Sequence, residues 1–356
     1  MTTYDALLVV SFGGPDGPDD VVPFLRNVTH GRGIPEDRLR VVGEHYFHFG
    51  GVSPINAQNR ALISGVEADL AARSTRIPVY WGNRNWTPYL TETVQQMRED
   101  GVRRALAFFT SAYSSYSGCR QYRENLADAR AAGQSIELVI DRIGPYYNHP
   151  GFVLPFVDST EEALHRLPDA VRDDARLVFT THSLPLSMAH SSGPDRDAYV
   201  TQHREVATWV ADAVAARTGV DREWDLVFQS RSGPPSQPWL EPDVGDHVVE
   251  LHADGVPAVV VVPIGFVSDH MEVVWDLDTQ ARAQADAVGL LYERAATPGC
   301  EPRFVTMVGD LLVERQQDVP MAQRVRMAGS FAAPDRCAAG CCPNPRGPRQ
   351  ADAGDD

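Results

Sequence analysis

The sequence contains no lysine, so its 32 basic residues are all arginine. Without lysine, the chain cannot form a Schiff base with a carbonyl substrate or use a lysine-dependent phosphate loop. The 48 acidic residues outnumber the basic ones and give a formal net charge of −16. Because an acidic chain without a basic cluster is repelled by phosphate backbones, we expect no nucleic-acid partner.

The chain also lacks long apolar runs and a secretory leader. No stretch approaches the roughly 20 apolar residues that a membrane-spanning helix needs. The first residues, MTTYDALLVVSFGG, have no basic segment and no small-residue cleavage site, and their apolar run is typical of a first strand. We therefore expect a cytoplasmic protein without an integral membrane segment. Nothing such as an exposed apolar helix demands a dimer, so we expect a monomer.

Short apolar runs recur along the chain with helical patterns between them. Runs rich in β-branched residues are typical of strands buried on both faces of a parallel sheet. Four such runs in each half predict an α/β protein with two similar halves, each a small four-stranded parallel sheet flanked by helices. The predicted strands are Ala6–Ser11, Pro78–Trp81, Ala105–Phe109, Ile136–Ile140, Arg176–Thr181, Asp225–Gln229, Ala258–Val262 and Leu290–Glu293.

Turn-forming residues at Gly144–Gly151, GPYYNHPG, mark the join between the halves. The turn after the first strand, SFGGPDGP, is not a dinucleotide-binding glycine fingerprint, and its prolines argue against a helix start there. The predicted helices are Val52–Ala72, Pro88–Asp100, Gln121–Ala132, Gly151–Leu167, Ala198–Thr218, Glu241–Gly255 and Pro302–Gln317. No strand follows the last helix, so we expect it to cross back onto the first half. We divide the chain into domains 1–148 and 149–320, a cysteine-containing segment 321–345 and a disordered tail 346–356.

Polar side chains follow several predicted strands at their carboxyl ends, where open α/β sheets bind ligands. The fifth strand leads into His182. The seventh leads into a loop and then a helix on which Glu272 and Asp276, four residues apart, share one face. Acidic residues near a helix start are equally well explained by the helix dipole. A second strand that also ends in a histidine, on the same rim of the sheet, favours a functional cleft.

Six ordered segments resemble the signature motifs of the ferrochelatases. They are LLVVSFGGP (Leu7–Pro15), HYFHFGGVSPIN (His45–Asn56), YWGNRNWTP (Tyr80–Pro88), THSLPLSMAH (Thr181–His190), FQSRSGPPSQPWLEP (Phe228–Pro242) and PIGFVSDHMEVVWDLD (Pro263–Asp278). Together these segments extend in order over most of the chain. The resemblance implies two Rossmann-like domains and the insertion of ferrous iron into a porphyrin.

The resemblance also implies which residues act. His182 matches the histidine of the family's H-S-L-P motif, and Glu272 matches the acidic residue of its D-H-x-E motif, so both are expected to be catalytic. Together with Asp276 they are expected to handle the metal, with His182 on one face of the macrocycle, Glu272 on the other and Asp276 as a relay. Gln280 stands where the family often has a further carboxylate. The segments that line the family's porphyrin cleft contribute Phe12, Tyr46, Ser53, Arg60 and Tyr122.

Cysteine is sparse, but three of the five cysteines fall close together near the C-terminus. In a cytosolic protein, such clustering favours a metal over a disulfide. Many ferrochelatases hold a 2Fe–2S cluster with one internal and three C-terminal cysteines, and the resemblance assigns Cys119, Cys337, Cys341 and Cys342 to one. The C-x₃-C-C spacing is tighter than in the family, and a flexible tail with incidental cysteines is the alternative. Cys300 is left as a structural or surface thiol.

Two tetrapyrroles are compatible with the resemblance, coproporphyrin III with four propionates and protoporphyrin IX with two. The segment Gly31–Arg40, GRGIPEDRLR, is polar where some family members form an apolar lip, and arginines suit carboxylates. We therefore expect a protein similar to the coproporphyrin III ferrochelatases of Gram-positive bacteria, with coproporphyrin III and ferrous iron as substrates and coprohaem as product. The alternatives are a protoporphyrin IX ferrochelatase giving protohaem, a cobalt or nickel chelatase for another tetrapyrrole, and a non-catalytic haem or iron–sulfur regulator.

Overall fold

Two parallel sheets of four strands each organise the protein. The structure, a computed structural model, describes residues 2–31, 33–133, 137–233, 236–338, 340–345 and 347. Helices cover the sheets, as the alternation of strand and helix patterns predicts. The expected fold class is confirmed.

The first sheet has the strand order β2-β1-β3-β4, with all neighbours parallel. β1 lies between β2 and β3. Every residue of its sequence, ALLVVS, is fully buried, as is typical of a strand covered on both faces. A π-helical turn, Tyr116–Arg120, precedes α5. The elements of this half are β1 (Ala6–Ser11), α1 (Pro18–Val28), α2 (Glu36–His48), α3 (Ile55–Ala72), β2 (Val79–Asn83), α4 (Leu90–Glu99), β3 (Arg104–Phe109), α5 (Gln121–Ala132) and β4 (Val139–Arg142).

The second sheet repeats the pattern in the order β6-β5-β7-β8, again all parallel. A second π-helical segment, Asp276–Ala281, joins α11 to α12, and a 3₁₀ turn, Met321–Gln323, follows α13. The elements of this half are α6 (Pro150–Arg166), α7 (Asp169–Arg172), β5 (Arg176–His182), α8 (Leu186–His190), α9 (Ala198–Thr218), β6 (Trp224–Gln229), α10 (Val244–Ala253), β7 (Ala258–Val262), α11 (Met271–Trp275), α12 (Arg282–Val288), β8 (Leu291–Arg294) and α13 (Pro302–Gln316).

One hydrophobic core joins the two sheets. It includes Leu7 and Phe108 from the first sheet, Phe179 and Val260 from the second, and Phe304 from α13, all fully buried or nearly so. Because apolar surface is buried between the halves, separating them would expose it to water. The two halves therefore stabilise each other.

The last helix, α13, returns to the first half, as expected. Its Asp310 forms an ion pair at 2.8 Å with Arg73, the residue that directly follows α3, and Arg73 also binds Asp69 one turn earlier. The backbone N–H of Thr2 donates to the Gln316 carbonyl oxygen at 2.9 Å. The N-terminal strand and helix α3 are thus both fastened by a segment near the C-terminus.

Strand predictions succeed best where burial is complete. The first and seventh strands match the prediction to the residue, since both are wholly buried apolar runs. At the sheet edge, β4 begins at Val139 rather than Ile136, which lies outside the described residues. The position of β4 is set by its pairing with β3, in which Arg104 lies opposite Val139. The sequence of β4 predicts its start less well than that of a buried strand, because β4 is partly exposed.

The sequence prediction missed α1, α2 and the short helices α7 and α8, and the expectation that prolines prevent a helix start after β1 is wrong. Pro18 is the first residue of α1, where a proline fits because no N–H is needed and its φ is already helical. Val21, Phe24 and Leu25 of α1 pack against Leu39 of α2 in a small separate core.

No helix in the described ranges is long and apolar enough to cross a bilayer. The tail expected to be disordered, 346–356, lies outside the described residues apart from Gly347. The cytoplasmic location and the monomeric state stay predictions.

Candidate active site

His182 is the last residue of β5, at the carboxyl edge of the second sheet. The strand forms because its apolar and β-branched residues are buried between the neighbouring strands β6 and β7. The ring nitrogen Nδ1 lies 2.5 Å from the Ser183 carbonyl oxygen, so this nitrogen carries a proton and donates it. In the neutral imidazole, Nε2 therefore keeps its lone pair and can accept a proton or bind a metal.

Glu272 is the second residue of α11, which follows β7 after a short loop. His270 caps this helix, because its Nδ1 accepts the backbone N–H of Glu272 at 3.2 Å. The side-chain amide of Gln229, the last residue of β6, donates to the Glu272 carbonyl oxygen at 2.7 Å. The backbone is thus fixed by two strand ends, while the carboxylate side chain remains 52% exposed and accessible to a ligand.

The structure brings His182 and Glu272 together, with 3.6 Å between Nε2 and Oε2. A flat macrocycle needs about 3.5 Å of clearance on each side, so groups on its opposite faces would be roughly 7 Å apart. The expectation that the two residues lie on opposite faces is therefore wrong. They lie side by side because β5 and β7 are adjacent in the sheet, and adjacent strands are only about 4.8 Å apart.

The pKa of His182 is governed by this pairing. Burial alone would lower the pKa, but the negative charge of Glu272 and hydrogen bonds to Glu272 and the Ser183 carbonyl outweigh it, so the pKa is raised above its usual value. The protonated ring is thereby stabilised, which makes His182 a stronger base than a free imidazole.

Asp276 lies one turn beyond Glu272, where the helix widens into its π-helical segment. Burial raises the pKa of Asp276 to about 7, although a hydrogen bond donated by the Ser230 hydroxyl opposes the rise. Ser230 follows β6 with a positive φ of 61°, a conformation that non-glycine residues seldom adopt. At neutral pH this carboxyl group is partly protonated and can both give and take a proton.

Asp276 was also expected to be a metal ligand beside His182 and Glu272. In the part of the chain that the structure describes, no three or more His, Cys, Asp or Glu are arranged to hold a metal ion. The carboxylate of Asp276 is directed to Ser230 instead. Its role as a metal ligand stays a prediction.

Two of the expected porphyrin-contacting residues are placed where a ligand could meet them. Phe12 directly follows β1, is 37% exposed and contacts the edge of Phe24. Tyr46 lies on α2 of the first half, and burial together with the charges of Glu272 and Asp276 raises its pKa. Its phenol therefore faces the carboxylates that the second half supplies.

Of the other three expected contacts, two are buried and the third is engaged in an ion pair. Ser53 and Tyr122 are 3% and 4% exposed. Arg60 is exposed, but its guanidinium pairs with Asp16 at 3.2 Å. Contacts between these residues and a substrate stay predictions.

One aromatic contact near the site was not foreseen. His45 of α2 stacks on Trp275 of α11, with ring centroids 4.1 Å apart, which fastens the first half beside Glu272. Both residues lie in segments that resemble family motifs. Aromatic rings in two such segments were the feature of the sequence from which a contact between them could have been predicted.

Arg84 was also missed, although it lies in the segment YWGNRNWTP that resembles a family motif. Its guanidinium lies over the ring of Tyr122 at 4.5 Å and near that of Phe12 at 5.7 Å, and Nε donates to Asn125 at 2.7 Å. A cation held beside Phe12 is well placed to meet a carboxylate of a ligand.

Four of the five cysteines gather far from the His182–Glu272 pair in sequence. We call Cys119, Cys337, Cys341 and Cys342 the cysteine group. Cys337 is hydrogen-bonded to Cys119 and Cys341, and the sulfurs of Cys341 and Cys342 are 3.8 Å apart. Cys300 is exposed and takes no part.

The surroundings of the cysteine group suit anionic sulfur. Arg142, itself only 8% exposed, donates to Cys119 at 2.9 Å and to Cys337 at 2.8 Å. Because a guanidinium stays charged and a buried charge needs a counter-charge, this contact favours thiolates. Hydrogen bonds from Cys119 and Cys341, with the charge of Arg142, lower the pKa of Cys337, whereas hydrogen bonds to neighbouring thiols and burial raise the pKa of Cys119 and Cys341. Two thiolates on one tetrahedral metal at about 2.3 Å would be ~3.8 Å apart, which is the distance between the Cys341 and Cys342 sulfurs. The donor chemistry therefore fits a metal–sulfur cluster, while the described residues, these cysteines included, show no arrangement that already holds a metal ion.

Comparison with known proteins then identifies the family. The family profile described as Ferrochelatase matches residues 4–316. A protein of Streptomyces coelicolor named coproporphyrin III ferrochelatase is 58% identical over 99% of this chain and 96% of its own length. The chain belongs to the ferrochelatase family.

Other relatives agree with this assignment to the ferrochelatases. A coproporphyrin III ferrochelatase of Streptomyces griseus subsp. griseus is 55% identical, again over 99% of this chain and 96% of its own length. Among solved structures, the sirohydrochlorin chelatase SirB from Bacillus subtilis subspecies spizizenii in complex with cobalt aligns with a TM-score of 0.50. It is 12% identical and the alignment covers 90% of this chain and 99% of that one, so the likeness concerns the fold alone.

Replacing Glu272 with Gln should lower the pKa of His182. The substitution removes the neighbouring negative charge that raises this pKa and leaves burial, which lowers it. The imidazole signals of His182 in a pH titration by NMR measure the change. Glu250→Gln, on an exposed side chain of α10, is the matched control and should leave those signals unchanged. A His182 pKa that stays the same or rises in Glu272→Gln contradicts the assigned pairing.

Replacing Asp276 with Asn should raise stability at pH 8 more than at pH 4. A carboxyl whose pKa in the folded protein, about 7, lies above its usual value of 3.8 is stabilising when protonated, and this contribution is lost as the pH rises through 7. Asn cannot ionise, so the difference in unfolding free energy between variant and wild type should grow with pH, to at most roughly 4 kcal/mol. Thermal or urea unfolding at both pH values measures it. Asp286→Asn, on the exposed face of α12, serves as control, and a pH-independent difference for Asp276→Asn would count against a raised pKa.

Proposed function

We propose that this protein inserts Fe²⁺ into coproporphyrin III and releases coprohaem, as a step of haem biosynthesis. The observation that carries the proposal is the pairing of a basic imidazole with a carboxylate, His182 with Glu272, at the ligand-binding edge of a sheet. The substrate is supported by relatives that bear the name coproporphyrin III ferrochelatase at 48–58% identity.

Metal insertion requires that two pyrrole nitrogens lose their protons and that hydrated Fe²⁺ loses its water ligands. His182 is suited to take the two pyrrole protons one after the other, passing the first on before it accepts the second, because its Nε2 has a free lone pair and its pKa is raised by Glu272. Glu272 stabilises the imidazolium that forms. Asp276, partly protonated at neutral pH, can pass the proton outward along the helix.

Both groups lie on one side of the bound ring in this proposal. A pyrrole nitrogen whose proton leaves on one face of the ring presents its lone pair to the metal on the other. We therefore place proton uptake on the His182–Glu272 face and the approach of Fe²⁺ on the opposite face. Holding the ring distorted between the halves would bring the ground state nearer the transition state.

The domain division at 1–148 and 149–320 is part of the proposal. The macrocycle would lie between a first domain that supplies Phe12 and Tyr46 and a second that supplies His182 and Glu272. The stacking of His45 on Trp275 supports this arrangement, because it brings the two sides together next to the carboxylate.

The rim of the site is less uniformly polar than the segment Gly31–Arg40 suggests. Ile34, Val41 and Phe47 are all more than 40% exposed on or near α2. The proposal of a four-propionate substrate is therefore supported by the relatives and by arginines such as Arg84. The polarity of the segment Gly31–Arg40 supports it less strongly.

Anaerobic Fe²⁺ insertion, followed by absorption spectroscopy with coproporphyrin III and protoporphyrin IX side by side, tests the proposal. We expect kcat/KM to be at least about tenfold higher for coproporphyrin III. His182→Ala should lower kcat by ~10²–10⁴, the usual contribution of a positioned base, while porphyrin binding persists. His165→Ala, an exposed histidine at the end of α6, is the matched control and should retain full activity. Full turnover by His182→Ala would overturn the assignment of His182 as the base. A preference for protoporphyrin IX would overturn the assignment of the substrate.

We further propose that the cysteine group holds a 2Fe–2S cluster. The support is the convergence of four thiols on a buried guanidinium, together with an N–H donated by Gly193 to the Cys342 sulfur at 3.1 Å. When bound, the cluster would supply iron–sulfur bonds that tie the segment 321–345 to the first half. Metal insertion itself needs no electron transfer.

Iron and acid-labile sulfide analysis of the purified protein tests the cluster. We expect about two of each per chain, and their loss in Cys337→Ser. Cys300→Ser should keep both, since Cys300 is exposed and outside the cysteine group. Colourless wild-type protein without sulfide would disprove the assignment.

A further inference from the structure

We infer that Tyr199 is a positioning residue that links the cysteine group to His182. The inference rests on the proposed function. It assigns a role to the proposed cluster in a reaction that requires no electron transfer. The link is a series of hydrogen bonds through the turn between α8 and α9, residues 191–197, which we call the α8–α9 turn.

The first contact joins the cysteine group to the turn. The backbone N–H of Gly193 donates to the Cys342 sulfur at 3.1 Å, inside the protein. Gly193 has a φ of +74°, and a Cβ there would lie 2.3 Å from the Cβ of Ala198. Only glycine fits this position without strain, so the turn is shaped to approach the sulfur with its backbone.

The second contact joins the turn to Tyr199. Ser192 is fully buried, and its hydroxyl oxygen accepts the backbone N–H of Tyr199 at 2.8 Å. Arg196 and Asp197, just before α9, both have positive φ values, 66° and 52°. Two consecutive non-glycine residues in this region are strained, so the conformation of the turn depends on the contacts around it.

The third contact joins Tyr199 to the reacting group. Its hydroxyl donates to the His182 carbonyl oxygen at 2.8 Å and lies 2.8 Å from the hydroxyl oxygen of Thr181. The ring is 7% exposed and so cannot swing away freely. Tyr199 therefore holds the last two residues of β5, including the backbone that carries the imidazole.

Helix α9 is also held from the other cysteine-bearing segment. Gln202, one turn after Tyr199, donates from its amide to the Ser114 hydroxyl at 3.0 Å and accepts the Ser114 N–H at 2.8 Å. Ser114 lies five residues before Cys119. The start of α9 is thus fixed both at the turn that contacts Cys342 and at the segment that leads to Cys119.

Loss of the cluster should therefore displace the α8–α9 turn, and with it Tyr199 and His182. A displacement of His182 by a fraction of an ångström would lower kcat without preventing porphyrin binding, because catalysis is more sensitive to position than binding is. The cluster acts in this account as a positional support for the base.

The test is a double-mutant cycle between Tyr199→Phe and Cys337→Ser. Cys337 does not touch the α8–α9 turn, so its substitution acts on His182 through the cluster. We expect each single variant to lower kcat about tenfold with little change in KM for the porphyrin, and to shift the NMR pH titration of His182. In the double variant the two effects should not add, because both break the same link.

Tyr146→Phe is the matched control. Its phenol is also buried and also donates to a backbone carbonyl, that of Phe109 at 2.8 Å, but it does not touch β5 or the turn. We expect its His182 titration to equal that of the wild type.

The outcomes distinguish a failure of this inference from a failure of the proposed cluster or of the proposed iron insertion. If wild-type protein lacks iron and sulfide, the cluster proposal fails and this link fails with it. If the cluster is present but Tyr199→Phe behaves like Tyr146→Phe, or the two effects add, the link alone is overturned. Because the His182 titration is read without turnover, it reports on the link even if iron insertion is not the reaction.

Discussion

The parallel pairing of β5 with β7 is the constraint on which the site depends. Phe179 lies opposite Val262 in this pairing, so β5 continues past the end of β7 and carries His182 to the rim. The chain after β7 must then turn at the same edge, which brings the start of α11 and Glu272 beside the imidazole. A shift of the register by one residue would turn His182 to the other face of the sheet. The chemistry of the pair is therefore a consequence of sheet geometry.

The pKa values of the site depend on the short distances between its ionisable side chains. The negative charge of Glu272 raises the pKa of His182 against the effect of burial. For Asp276, burial is the main cause of the raised pKa, and the charge of Glu272 adds to it. Burial likewise does most to raise the pKa of Tyr46, which reaches across from the first half, and the charges of Glu272 and Asp276 act in the same direction.

The sequence was sufficient for the fold class and for the identity of the paired residues. The wholly buried strands β1 and β7 were predictable because their apolar runs have no competing explanation. The relative placement of His182 and Glu272 was not predictable, since it depends on which strands are neighbours, and the order β6-β5-β7-β8 is not written in either motif. Helix α1 was missed because a proline at its first residue looks like a helix breaker until its position is known. The role of Arg142 beside two cysteine sulfurs was equally hidden, because more than 190 residues separate it from Cys337.

The return of α13 onto α3 has a consequence for synthesis on the ribosome. The N-terminal half is translated first, yet the helix that covers α3 is translated at 302–316. At a translation rate of about 5–20 residues per second, the nascent first half waits on the order of ten seconds or longer for that cover. Throughout that interval the apolar face of α3 is open to water, to chaperones and to neighbouring chains. Synthesis of α13, rather than emergence of the first sheet, is the event that completes the core over α3.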